Sequence, residues 1–423
     1  MSPVRATRAP ALRYRPARRT DVEALADLGA RAYRVASLEQ RREFYTDHPR
    51  FGLKDVRVGE IDGRVVSSLV LYPLTAMVRG RRVPLAGVGS VAVSPEHRRR
   101  GIGEALMRAA LRELKTRGVP FSLLYPFRAS WYRRLGWGMA ELVHQFAVAA
   151  ADLPGSEEAR QVRRLMSPDR ERVQALYERA SVAGHFALVR GEAWWQRRLW
   201  GYPGEWLVYE PRRGSIEGYL YYEPDSTKGP FKLALSVMEI VAVTPAAHRG
   251  LIGHLASLAD QVEELHFASR ADHVWPVLLR DPRNLHPGSE IGAFRDTGNL
   301  AHGALLRVVD VKTGLEAIPV AAPARGELAI EVDDPILSAN TRVWRVRSNG
   351  VGRLAVTPAG GRAPTRARVT TSIETLASIV SGALDARRAS ETGLIETGPG
   401  ALDLLEPWFR TAVPPFLHPL NAF

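Results

Sequence analysis

The sequence predicts two tandem α/β units followed by a third unit of α+β type. Two observations carry this reading. The pentapeptide Val91-Ala92-Val93-Ser94-Pro95 returns 150 positions later as Val241-Ala242-Val243-Thr244-Pro245. Each copy is followed by a helical pattern and then by an apolar segment, the same order of elements twice. Beyond residue 303 the texture changes to short apolar strands and then helices. A flexible arm is expected at 1–12, the first unit at 13–153, the second at 154–303 and the third at 304–423. A chain of 423 residues suits such a division, at roughly 100–200 residues per domain.

In the first unit, Val22, Leu25, Leu28, Ala32 and Val35 recur at helical spacing. They predict a helix over 21–36 with Thr20 or Asp21 as N-cap. Val56–Ile61 and residues 65–72 flank Asp62-Gly63 and read as a hairpin. Residues 85–93 form another apolar strand, ended by Pro95. A helix is expected over 101–117, stopped by Gly118, then a strand over 121–125 and a short helix over 129–135. In the second unit the matching helix is expected over 251–265 and the matching apolar segment over 274–279, after a linker at Leu153-Pro154-Gly155-Ser156. In the third unit, 305–311, 328–332, 341–346 and 367–372 read as strands, and 373–384 and 402–406 as helices. Pro407, Pro414, Pro415 and Pro419 make the last stretch irregular, and it closes on Leu420-Asn421-Ala422-Phe423.

Composition narrows the function classes. Hydrophobic residues at 45% and charged residues at 24% describe a globular chain and exclude wholesale disorder. No apolar run reaches the roughly 18–20 residues that span a bilayer. The basic N-terminus lacks the apolar core of a signal peptide, so a cytoplasmic protein with no membrane partner is expected. Cysteine is absent, which excludes disulfides, thiolate catalysis and Cys-ligated zinc. The eleven histidines show no HExxH or HxH pattern, and no metal is expected. The net charge is +13, and all but five of the 58 basic residues are arginine. The arginines are spread along the chain, so no nucleic-acid partner is expected.

The chemistry-bearing stretch runs Val91-Ala92-Val93-Ser94-Pro95-Glu96-His97-Arg98-Arg99-Arg100-Gly101-Ile102-Gly103-Glu104. A strand ends, a basic turn with glycines follows, and a long helix begins. Free N–H groups and the dipole at a helix start suit a pyrophosphate, glycines allow close backbone approach, and arginines add forked donors. The Gly-Lys-Ser/Thr ending of a Walker A loop is missing, and the turn is not GxGxxG. Arg98-x-x-Gly101-x-Gly103 after this strand resembles the acetyl-CoA signature of GNAT N-acetyltransferases. In the second copy, Leu251 stands for Gly101, Gly250 for Arg100 and His248 for Arg98. The first unit therefore reads as active and the second as degenerate.

Downstream, Trp131-Tyr132-Arg133-Arg134-Leu135-Gly136-Trp137-Gly138 resembles the GNAT element whose tyrosine lies near the CoA sulfur. A phenol, with an ordinary pKa of about 10, stays protonated at neutral pH and can donate to a departing thiolate. With two GNAT copies and an α+β tail, and with His185–Trp195 resembling the start of the second domain, the whole chain resembles the Eis family of N-acetyltransferases. That resemblance implies a sterol-carrier-protein-like third domain, a C-terminal α-carboxylate acting as general base, here on Phe423, and Tyr132 as general acid. It implies that Val91, Ala92 and Val93 with Arg99, Arg100, Gly101, Ile102, Gly103 and Glu104 line the co-substrate acetyl-CoA, that Phe127 and Arg128 border it, and that the Val93 N–H faces the thioester carbonyl. It also implies a homohexamer. The acceptor would be a primary amine: an aminoglycoside, another small amine or a lysine side chain. Aminoglycoside-acetylating members carry acids around the amine pocket, whereas Ala422 precedes the last residue here, which favours an acceptor of lower charge. A non-catalytic acyl-CoA or lipid-binding protein is the alternative.

Overall fold

The computed structural model describes residues 12–33, 37–225, 233–270, 272–288, 292–320, 324–350, 352–360 and 366–423. All but the last residue of the expected arm lies outside the described residues, as do the last three residues of the first expected helix. The first unit runs through β1 (Arg13–Pro16), α1 (Val22–Tyr33), α2 (Leu38–Thr46), β2 (Val56–Ile61), β3 (Arg64–Val78), β4 (Arg81–Val93), α3 (Ile102–Thr116), β5 (Phe121–Leu124), α4 (Ala129–Arg133) and β6 (Gly138–Met139). The second follows with β7 (Leu142–Ala149), β8 (Val162–Arg164), α5 (Arg170–Val182), β9 (His185–Leu188), α6 (Glu192–Arg197), β10 (Glu205–Tyr209), β11 (Gly218–Asp225), β12 (Leu233–Ala242), α7 (Pro245–Ser257), β13 (Val262–Arg270), α8 (Trp275–Leu278) and β14 (Asn299–His302). Then come β15 (Leu305–Val308), α9 (Val311–Ala317), β16 (Arg325–Asp333), β17 (Arg342–Asn349), β18 (Ala355–Pro358), β19 (Arg368–Ser372), α10 (Ile373–Ser381), α11 (Ala386–Glu391), β20 (Ile395–Thr397) and α12 (Leu402–Phe409).

Local chemistry explains the turns that matter. Asp62 and Gly63 both take positive φ, 49° and 76°, which suits the right-handed twist of the β2–β3 hairpin. Helix α3 buries Ile102, Leu106, Met107, Ala110, Leu111 and Leu114 on one stripe and keeps its charged residues on the other side. In the second unit, the expected helix over 251–265 and apolar segment over 274–279 are displaced. Thr244 caps α7 by accepting the Ala247 N–H at 3.2 Å, and Pro245 occupies its first turn, so the helix starts at once. Residues 262–270 are a strand and 275–278 a helical turn. Gly250 and Gly253, which read as turn glycines, lie inside α7, where the helix packs closely on Tyr209 and Ser156.

The strands order as β1-β2-β3-β4-β5-β15-β6, with β9 also on β3, then β14-β7-β13-β12-β11-β10-β8, then β18-β17-β16-β19-β20. The cuts expected at 153/154 and 303/304 do not separate these sheets. Residues 305–308, expected as a third-unit strand, insert between β5 and β6, while β7 crosses into the second sheet between β13 and β14. Burial explains the insertion: β5 and β15 are buried at every residue, as a strand covered on both faces must be. Arg307 on β15 is fully buried and its Nη2 donates to both carboxylate oxygens of Asp334 at 2.7 Å, tying the first sheet to the third unit. Breaking such a pair from one side costs about 3–5 kcal/mol.

Candidate active site

Strand β4 carries the centre of the site. It pairs in parallel with β5 from Leu85 to Gly87, opposite Phe121 to Leu123, and there the pairing stops. On its other side Val70 faces Gly89 and Ser68 faces Ala92, so Ser90 and Val91 together oppose Leu69. This is a β-bulge, and Ser90 takes a φ of 49°. The Val91 carbonyl accepts the Tyr33 hydroxyl at 3.0 Å, and the Val93 carbonyl accepts Nε of Arg98 at 3.2 Å. In an extended strand the N–H and C=O of one residue point the same way. The N–H groups of Val91 and Val93 therefore line the edge that β5 leaves open. The Ala92 side chain is buried on the sheet.

At the far end of this edge lies the basic turn. Ser94 Oγ is 2.8 Å from Nδ1 of His97, and Glu96 is ion-paired with Arg31. Arg99 and Gly101 adopt left-handed backbone, with φ of 60° and 76°, and bring the chain round onto Ile102. The Gly101 carbonyl accepts the Ala105 N–H at 2.9 Å. The N–H groups of Ile102, Gly103 and Glu104 are thereby left at the open helix start. The Ile102 side chain itself is buried beside Ile61 and Val66. Arg99 and Arg100 are exposed and have no carboxylate partner among the described residues. Glu104 instead accepts Nε of Arg108 at 2.8 Å. The donor set is cationic, forked and solvent-facing, and it fits a pyrophosphate.

Helix α4 borders the same cleft. Trp131 packs against the start of α3, 3.5 Å from where a Cβ on Gly103 would lie. Phe127 is exposed and stands edge-on to Tyr132 at 5.6 Å, with exposed Arg128 beside it in sequence. Tyr132 is 3% exposed, and burial pushes its phenol up to about 12. It is therefore a protonated group at neutral pH.

The end of the chain reaches β4 from the opposite side. The ring of Phe423 lies 5.1 Å from that of Tyr72 and 5.5 Å from that of Tyr125. Its carbonyl-group oxygen is 3.6 Å from the position of a Cβ on Gly89. The approach to this point is pinned residue by residue. The Leu417 N–H donates to the buried Glu141 carboxylate at 2.7 Å, and Nε1 of Trp194 to the Leu420 carbonyl at 3.2 Å. Nη1 of Arg50 donates to the Asn421 carbonyl at 2.7 Å. The Asn421 side chain accepts from Arg190 Nε at 2.8 Å and donates to the Tyr177 hydroxyl at 3.0 Å. Arg190 in turn forms a fully buried pair with Glu239, whose carboxyl is held down by that guanidinium against its own desolvation. Arg50, stacked on Trp194 at 3.4 Å, has its pKa pulled down to about 9 by burial.

Comparison with known proteins places this arrangement. Residues 13–140 and 187–307 each match an acetyltransferase (GNAT) domain family, and residues 311–418 match a sterol carrier protein domain family. The N-acetyltransferase Eis of Mycobacterium tuberculosis is 32% identical over 286 residues, covering 64% of this chain and 66% of that protein. An uncharacterized N-acetyltransferase of Streptomyces griseus is 29% identical over 364 residues, covering 80% and 82%. Among solved structures, a GCN5-related N-acetyltransferase from Anabaena variabilis superposes with a TM-score of 0.83 at 20% identity, covering 98% of this chain and 100% of that one. Eis1 from Mycobacterium abscessus does so with a TM-score of 0.75 at 24% identity, covering 98% and 100%.

The chain belongs to the Eis-like GNAT N-acetyltransferases. It is an enzyme with two GNAT domains and a sterol-carrier-like domain, and no helix among the described residues is long and apolar enough to cross a membrane. In this N-acetyltransferase the two GNAT domains differ at the decisive turn. The first has a loop of left-handed residues before α3, whereas α7 begins directly at Pro245 and buries Leu251 and Ile252. Sequence reasoning missed the supports of the tail. Gly87-Val88-Gly89, two glycines within an apolar strand, was a readable sign of close approach on β4. Arg50, Glu141, Arg190 and Asn421 carried no such sign, because their roles exist only across contacts distant in sequence. Spacing also gave no hint of Glu264, His266 and His286, whose ligand atoms gather within 4.8 Å of one another in the second domain.

Proposed function

We propose that this enzyme uses acetyl-CoA and acetylates a primary amine in its first GNAT domain. The observation that carries the reading is the convergence on β4 of Phe423, over Gly89, with the open N–H edge at Val91 and Val93. Arg98, Arg99, Arg100 and the N–H groups of Ile102, Gly103 and Glu104 hold the diphosphate, and Phe127 and Arg128 flank the cofactor arm. Acetyl-CoA supplies the activated acetyl group. The Val93 N–H donates to the thioester carbonyl oxygen, where charge grows in the transition state. The α-carboxylate of Phe423 takes a proton from the substrate ammonium, and the freed amine forms the N–C bond. Tyr132 donates its proton to the sulfur as the C–S bond breaks, and the second proton shed by the nitrogen restores the phenol, leaving an amide and a free thiol. The second GNAT domain does not hold a nucleotide in this reading, since α7 offers no turn in place of residues 96–101.

The acceptor in this reading is a monoamine, with an aromatic or alkyl body, in preference to an aminoglycoside. Rings line the approach to Phe423: His48 stacks on Phe51 at 4.3 Å and stands 5.7 Å from Tyr72. Of the acids on and beside α2, Glu39 is engaged by Arg42, which also holds Glu23, and Asp47 by Arg197, while Glu43 is exposed. Burial holds His48 at a pKa of about 4, so it is neutral, while Arg50 beside it is cationic. A polycation finds little compensation there. Cytoplasmic location and a homohexamer complete the proposal.

A thiol-release assay with acetyl-CoA and a panel of arylalkylamines, polyamines, aminoglycosides and lysine peptides tests it. Turnover highest on a monoamine, and lost when Phe423 is deleted, is expected. Turnover that survives the deletion, or that is confined to aminoglycosides, would overturn the assignment of the base or of the substrate class.

A further inference from the structure

Strands β12 and β13 are parallel neighbours only where Leu233–Val237 faces Val262–Phe267. Beyond that point β12 stays with β11 and β13 stays with β7, so the two part. The gap opens into a cavity of about 820 Å³. Small-molecule sites occupy roughly 300–1,000 Å³. Residues 237–243 form one wall and residues 267–270 the other, and the tail segment with Val413, Pro414, Phe416 and His418 forms a third.

The lining is not that of a nucleotide site, because α7 starts at Pro245 with no basic glycine turn in front of it. It is a place for a flat ring. Trp275 stacks on His273 at 4.8 Å and 20° and lies 4.5 Å from Phe267, with His248 at 5.8 Å from His273. Burial lowers the pKa of both imidazoles, that of His273 to about 4, so they are neutral at pH 7. Two imidazole nitrogens of lining residues are enclosed and lack a partner among the described residues. His273 Nδ1 is buried without a hydrogen bond. His185 is 2% exposed, its Nε2 donates to the Val380 carbonyl at 3.1 Å, and its Nδ1 is left without a partner.

Charge selects the ligand further. Glu239 on the wall is neutralised by Arg190 and faces His418 at 3.3 Å. At the mouth, Arg179 is exposed and has no carboxylate partner among the described residues, and Arg270 is paired with Asp272 at 3.0 Å. The mouth is thus positive over a ring-lined interior. We propose that this cavity in the second GNAT domain is a binding site for a small planar aromatic carboxylate, ring packed against the Phe267–Trp275 pair and carboxylate towards Arg179. It is separate from the acetyl-transfer centre, behind the layer of Tyr177, Glu239 and His418, and does not depend on how that centre works.

The test is a ¹⁹F NMR titration of the full chain with 4-fluorobenzoate and 5-fluoroindole-3-carboxylate, with 4-fluorobenzamide as uncharged isostere. Saturable binding is expected, about tenfold weaker for the amide. Two exposed positions at the mouth give variants that leave the core alone. Arg179→Glu should weaken the carboxylates by about tenfold, and Ala183→Trp should block them. Circular dichroism confirms that both variants are folded. Saturating acetyl-CoA should leave the titration unchanged. The proposal is overturned if neither carboxylate saturates below about 10 mM, if the amide binds equally, if both variants bind as the parent does, or if acetyl-CoA displaces the probe. Decanoate binding in place of the arenes would also overturn it, making the cavity an acyl-chain site.

Discussion

The ring of Phe423 lies flush against Gly87, the last residue at which β4 pairs with β5: a Cβ on Gly87 would stand 2.5 Å from Cε2 of that ring. The glycine is the seat of the chain's end. Gly87→Val should push the ring off β4 and carry the carboxylate with it. The expected result is a fall in kcat of about 10²-fold with the protein still folded, because misplacing a catalytic group by an ångström is that expensive. Steady-state kinetics beside a thermal melt would check it, and an unchanged kcat would detach the tail from the chemistry.

Tyr132 should behave as a donor whose loss leaves the fold alone. Its hydroxyl makes no hydrogen bond to the described residues, so Tyr132→Phe should shift stability by less than about 1 kcal/mol. It should lower kcat by about 10²-fold or more. Its phenol is raised to about 12 by burial and is protonated below that value. The rate of the parent should therefore show no alkaline decline assignable to this group below about pH 11. A decline near pH 9 that vanishes in Tyr132→Phe would contradict the burial of its hydroxyl.

Arg99 and Arg100 should act on binding and not on the chemical step. Neither has a carboxylate partner among the described residues to lose, so Arg99→Ala and Arg100→Ala should each raise KM for acetyl-CoA by several-fold to about tenfold. kcat should be preserved. Salt should mimic the effect on the parent and act less on the double variant. A drop in kcat at constant KM would place these arginines elsewhere in the mechanism.

Glu141 should give the protein a pH-dependent stability. Burial pushes its carboxyl up to about 7 from an ordinary 4.5, against the N–H groups of Ala304 and Leu417 at 3.0 and 2.7 Å. Between those two values the folded state holds more protons than the unfolded one. The contribution of this group to stability is therefore greatest below pH 4.5 and is lost as pH rises to 7. Glu141→Gln removes the titration. Melting temperatures taken across that window should show the parent's advantage over the variant shrinking as pH rises. A constant difference would mean that Glu141 stays ionised throughout.

Local patterns made much of the first GNAT domain legible. Asp62-Gly63 specifies its hairpin, Gly101 and the stripe from Ile102 to Leu114 specify α3, and Tyr132 lies on the short helix expected for it. The second domain was misread where the same residue types do different work. Gly250 and Gly253 were read as a turn, but their lack of side chains serves helix packing, while Thr244 and Pro245 had already begun the helix. The place of Leu305–Val308 was illegible for another reason. An apolar run of four residues fits any sheet with a vacant slot, and only the completed structure shows which slot is vacant.

That slot has a consequence for how the protein is made. A ribosome delivers β5 and β6 long before β15, and the first sheet keeps a gap between them until Leu305–Val308 have emerged. The first GNAT domain cannot finish folding in the order of synthesis. It must wait as an open-edged intermediate while the whole second domain is translated, a state prone to association and to capture by chaperones. Expressed alone, residues 13–140 would keep that edge for good.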